Sequence, residues 1–108
     1  MTPGDLWVAH APQVYLTKPR PVLIVQDLDL IATQSVIVCL VTSVPLAIPL
    51  VRISIPEWSS SGLTSPSFVM VEKLAAVPVT NLARRVGNLS EGAMNDVKDS
   101  LRLLLDMG

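Results

Sequence analysis

Lys18-Pro19-Arg20-Pro21 sets a guanidinium between two prolines ahead of the apolar run Val22-Leu23-Ile24-Val25, and Thr42-Ser43 closes a second apolar run. A guanidinium is permanently charged and can grip two phosphate oxygens at once, and flanking prolines restrict the backbone that carries it. Short hydroxyl side chains fix an oxyanion at little entropy cost. These parts suit work on a phosphate. His10 is the single histidine and a natural proton carrier near neutrality. The plainer fates are a surface arginine, a hydroxyl satisfying a turn at a strand end, and an exposed loop histidine.

Strands have to hold these groups. Residues 4–9 predict a first strand with Gly4-Asp5 as its turn, and residues 10–18 a loop containing His10 and Lys18. Residues 22–26, dense in β-branched side chains, predict a second strand buried on both faces and entered through the prolines. A loop over 27–34 leads to a third strand over 35–41. A fourth follows over 51–55, where Arg52 and Ser54 alternate with Val51, Ile53 and Ile55. Residues 56–66 have loop composition and hold Trp58; a fifth strand covers 68–71, a helical turn begins near Thr80 after Pro78, and a last strand spans 84–89.

The period then changes. Ser90 is suited to an N-cap, Glu91 to a helix N-terminus, and Met94, Val97, Leu101 and Leu104 follow at helical spacing toward an end near Asp106. Short strands with one terminal helix give an α+β domain: a small, mostly antiparallel barrel with a C-terminal helix packed on it.

At 108 residues the chain fits one domain whose limited burial keeps a homodimer open. Half of the residues are hydrophobic and 16% are charged, which excludes a disordered chain. Cys39 is alone, so neither an intrachain disulfide nor a cysteine-rich metal site is available, and a reducing cytoplasm fits best. Prolines 45 and 49 interrupt the apolar stretch 36–51, which falls short of the roughly 20 residues of a membrane span. Residues 1–5 lack the features of an export signal. The net charge of −1 argues against a long electrostatic footprint on nucleic acid. Residues 1–86 nonetheless carry six basic against five acidic side chains, while 87–108 carry two against four, so any such contact is short and local.

Taken in order, Gly4-Asp5-Leu6-Trp7, Arg20-Pro21-Val22-Leu23-Ile24-Val25-Gln26, Thr42-Ser43, Gly62-Leu63 before Ser67-Phe68-Val69, and Arg85-Val86-Gly87-Asn88-Leu89-Ser90 resemble the MazF/PemK (Kid) toxins of bacterial toxin-antitoxin pairs. The resemblance implies an SH3-like barrel, a homodimer, and metal-independent, cofactor-free cleavage of single-stranded RNA. It also implies an antitoxin whose flexible C-terminal segment occupies the RNA groove. The same fold class includes gyrase poisons of the CcdB type, which do no chemistry, so a non-catalytic toxin binding a protein such as gyrase is the alternative. The tryptophan-containing tail of those poisons is missing from Leu105-Asp106-Met107-Gly108.

Metal-free cleavage uses the RNA 2′-hydroxyl as nucleophile, with a base to take its proton, a cation to steady the phosphorane and an acid for the leaving 5′-oxygen. The resemblance makes Arg20 the cation and Thr42 its active-site neighbour. His10 and Glu72 are candidate bases, and Lys18, Ser43, Trp58 and Lys73 candidate RNA contacts. Trp58 and Tyr15 are the aromatics on predicted loops, where a base could stack. Where the family pattern places an arginine and an aspartate on the fifth strand, this chain has Met70 and Glu72, and a later arginine is replaced at Ala75. Arg84 and Arg85 are further candidates for the RNA backbone.

Overall fold

The computed structural model describes residues 1–12, 16–27, 34–46, 48 and 50–107. Its elements are β1 (Asp5–Ala11), β2 (Leu16–Ile24), β3 (Ser35–Thr42), β4 (Arg52–Ser54), β5 (Phe68–Pro78), a 3-10 turn (Val79–Asn81), β6 (Leu82–Asn88) and α1 (Glu91–Leu104). All strands join one antiparallel sheet in the order β4-β5-β3-β2-β1-β6, with β4 and β6 as its edges among the described residues. The architecture is the expected α+β, barrel-like one, with no ladder closing β4 onto β6 among the described residues.

The strand carrying Arg20 starts at Leu16, well ahead of the apolar run that marks it in the sequence, so Lys18 and Arg20 lie within it. The prolines explain how. β2 pairs with β1 along its length, from Leu16 opposite Ala11 to Leu23 opposite Leu6, but with β3 only at Val22, Leu23 and Ile24. Residues 16–21 are therefore an edge on the β3 side, where a residue without an N–H is tolerated. His10 likewise sits in β1 and not in a loop, at the point where the β1–β2 register shifts. Tyr15 and most of the expected loop 27–34 lie outside the described residues.

β5 is far longer than residues 68–71. A bulge resets its register on β3, from Met70 opposite Leu40 to Leu74 opposite Cys39, and this carries the strand past the charged Glu72-Lys73. Leu6, Leu23, Cys39, Val41, Val69 and Val71 pack with Ala93, Met94 and Val97 of α1 on one side. Val22, Ile24, Val38, Leu40 and Val77 build a second cluster with Ala9, Ala11 and Leu16. Val22, Leu23 and Ile24 are fully buried, the two-faced burial expected over 22–26, whereas Val25 and Gln26 lie past the end of β2 and are half-buried.

Ser90 caps α1 by accepting from the Ala93 N–H at 3.2 Å. The helix ends at Leu104, ahead of Asp106, which takes a positive φ of 54°. The Met107 N–H returns to the Arg102 carbonyl and that of Asp106 to Leu103, the pairing of a Schellman end. Leu104, expected inside, is exposed. Ser100 is buried instead, its hydroxyl donating to the Leu50 carbonyl and tying the helix to the chain entering β4.

The segment between β4 and β5 is pinned by two glycines. Gly62 holds φ at +90°, and a Cβ there would run into the Val86 carbonyl; a Cβ on Gly87 would run into the Ser61 carbonyl. Two motif fragments far apart in sequence are thus one backbone-on-backbone contact.

Candidate active site

The β2–β3 ladder ends at Val22 opposite Leu40, and the two strands part beyond it. Continuing that register sets Arg20 opposite Thr42, with both on the face of Val22 and Leu40. A cavity of about 420 Å³ opens in the gap. Arg20 and Pro21 line it from β2, Thr42 and Ser43 from the end of β3, Thr64, Ser65 and Ser67 from the approach to β5, and Leu40 and Met70 from the sheet. The Thr42 hydroxyl oxygen accepts from the Val44 N–H at 3.1 Å, which holds the turn and leaves its hydrogen to donate. The turn-satisfying role and the ligand-facing role are therefore compatible.

Three sequence candidates come together there: Arg20, Thr42 and Ser43. The others do not line the cavity. His10 is exposed on β1, and its carbonyl accepts from Asn81 Nδ2 at 2.8 Å. Lys18 is exposed within β2 and Lys73 within β5. Trp58 is half-buried against the helix-side cluster. Among the described lining residues there is neither a carboxylate nor an imidazole.

Glu72 is engaged elsewhere. Arg52 on β4 donates from Nε to both of its oxygens, at 3.0 and 2.8 Å, and its Nη2 lies 2.6 Å from Oε2. The carboxylate is bound in a fork, so it is not poised as a free base. Burial, with the Glu72 charge added, pushes the Cys39 thiol up to about 12. Burial also acts to raise the Asp5 carboxyl, but the hydrogen bonds from Arg85 at 3.2 Å and from the Thr2 N–H at 2.9 Å outweigh it and hold the group below its ordinary 3.8. Arg85 thus braces β6 to β1; Arg84 is exposed beside it. Among the described residues, no three His, Cys, Asp or Glu side chains form a group that could hold a metal ion. No helix of these residues is long and apolar enough to cross a membrane.

Thr64, Ser65 and Met70 were not singled out as site residues by pattern. For Thr64 and Ser65 the only signal is a run of hydroxyls within a segment of loop composition, 56–66; Met70 stands out only as a departure from the family pattern. Only the seating of this segment on β6 brings its end to the cavity.

The chain resembles known proteins in sequence and in fold. Residues 2–105 match the family model described as a PemK-like, MazF-like toxin of type II toxin-antitoxin systems. The chain is 41% identical over 108 residues to a probable endoribonuclease MazF of Mycolicibacterium smegmatis, covering all of this chain and 97% of that protein. Its fold matches the Mycobacterium tuberculosis toxin MazF-mt6 with a TM-score of 0.79 at 21% identity, over 94% of this chain and 96% of that one. It matches a mycobacterial endoribonuclease solved with its cognate antitoxin with a TM-score of 0.83 at 18% identity, over 100% and 97% of the two chains.

Proposed function

Because the chain belongs to the PemK-like, MazF-like toxin family of type II toxin-antitoxin systems, we propose that it is an endoribonuclease toxin whose cleavage site is the cavity between Arg20 and Thr42. The observation that carries this reading is the placement of one guanidinium and two hydroxyl side chains around a single gap in the sheet. The substrate is single-stranded RNA, cut at selected sequences. The 2′-oxygen attacks phosphorus as its proton passes to solvent water, the bond between phosphorus and the 5′-oxygen breaks, that oxygen takes a proton from water as it leaves, and a 2′,3′-cyclic phosphate remains. Arg20 grips the non-bridging oxygens and steadies the charge that grows on them in the phosphorane. Thr42 donates to the same group, and Ser43 holds the adjoining backbone of the RNA. No step in this scheme draws on a metal ion.

The family match supports this reading and not the gyrase-binding one. The toxin works in the cytoplasm and is neutralised by a cognate antitoxin, as the relative solved with its antitoxin suggests. It acts as a homodimer, which would cover apolar side chains such as Ile37 and Leu74 that one copy leaves exposed.

The test is incubation of the purified protein with a mixed RNA substrate in excess chelator, with the new ends identified by mass. Cyclic-phosphate ends that vanish in R20A are expected. No cutting at all, or cutting unchanged in R20A, overturns the assignment.

A further inference from the structure

The cavity offers more than a phosphate needs. Arg20 is the only cation among the described lining residues, so the site takes one phosphate. The remaining surface is neutral. Leu16 and Leu40, 2% and 5% exposed, join half-buried Met70 as an apolar bed, and Thr64 and Ser65 add hydroxyls at its side. Flat apolar contact with hydrogen-bonding groups at one edge is the chemistry of a nucleobase. About 420 Å³ lies within the ~300–1,000 Å³ of small-ligand sites, room for one nucleotide.

The segment bearing these hydroxyls is also held still. The Leu63 N–H donates to the Trp58 carbonyl at 3.0 Å, Ser60 Oγ donates to the Glu57 carbonyl at 3.1 Å, and Gly62 is wedged on the Val86 carbonyl. Ser67 is buried and donates to the Ser65 carbonyl at 2.9 Å, which fixes the turn on which Ser65 stands. A donor on a rigid support discriminates between base edges; a mobile one adapts to all of them.

We propose that the cavity seats the single base beside the scissile phosphate on Leu40 and Met70, and that Ser65, assisted by Thr64, reads its edge and so sets which base is accepted at that position. The inference rests on the ribonuclease reading. Ser67 is a positioning residue for Ser65. No aromatic side chain is among the described lining residues, so the base is held by apolar contact and chosen by its edge.

The test is cleavage by the full-length protein of short RNAs randomised around the cut, with product sequencing and a thermal unfolding scan of each variant. S65A is expected to lower the discrimination between bases at one position about tenfold, the loss of one edge hydrogen bond. T64V, at an exposed residue, should lower it at that same position by less. M70K, which puts a charge on the apolar bed, should weaken the preference there too, whereas R20A lowers cutting of all sequences alike. Preferences unchanged within twofold in folded S65A, T64V and M70K overturn the proposal while leaving the ribonuclease intact. A wild-type protein that cuts no RNA removes both.

Discussion

Arg20 on β2 and Thr42 on β3 occupy matching positions two residues past Val22 and Leu40, the last pair of their ladder, and line one cavity. The gap exists because β2 carries two prolines on the stretch that β3 leaves unpaired.

If Arg20 and Thr42 act on one phosphate, as proposed, they should not act independently. R20A is expected to slow RNA cleavage about a thousandfold and T42V about tenfold, with the double variant less impaired than the product of the two. Single-turnover rates on one oligonucleotide decide it. Additive losses would mean that the two side chains serve different steps.

His10 faces solvent outside the cavity. H10Q should therefore retain the wild-type rate within about threefold and the same dependence on pH between 5 and 8. A hundredfold loss with a flattened acid limb would return the imidazole to the mechanism as its base.

Gly62 and Gly87 share one contact, and a methyl at either meets a carbonyl. G62A and G87A should each lower Tm by roughly 10 °C or more, a cost of about 2 kcal/mol for a chain of this size. The double variant should fall well short of the sum, because the same backbone pair is forced apart once. Calorimetry on the three proteins checks this.

The Asp5 carboxyl is held below 3.8 in the folded chain, so it adds stability above that pH and loses it as pH falls through the folded value. D5N should lower stability at pH 7 by about 2 kcal/mol, the worth of hydrogen bonds to a charged group. The difference from wild type should shrink below pH 4. Urea unfolding at pH 7 and pH 3 measures both ends.

The Cys39 thiol, pushed up to about 12 and buried, should resist thiol reagents at pH 8 until the chain unfolds. A labelling rate that follows the unfolding rate is expected. Fast labelling of native protein would show an opening of the sheet between β2 and β5.

What could be read from sequence was local. Arg20 between prolines, Thr42-Ser43 at a strand end, and Ser90 before an amphipathic run each carry their signal within a few residues, and the structure keeps all three elements. The start of β2 was hidden because proline normally marks where a strand stops, and the unpaired side that tolerates it belongs to the sheet, not to the segment. The engagement of Glu72 by Arg52 was hidden for a related reason: it depends on β4 pairing with β5 across 20 residues. The hydroxyls of residues 64–67 looked like any polar loop, because the contact that seats the preceding Ser61-Gly62 on β6 lies far away in sequence. Helix burial misled at Leu104 and Ser100, where a hydroxyl bonded to a carbonyl went inside and a leucine stayed out.

In β2 the prolines make the width of the gap between Arg20 and Thr42 a matter of where strand pairing stops, not of the bulk of its walls. A residue with an N–H at position 21 could let β3 zip one step further and tighten the cleft; another blocked position would splay it. Under the proposed function, a change in pairing alone would then alter which RNA the cavity accepts, with Arg20 and Thr42 unchanged.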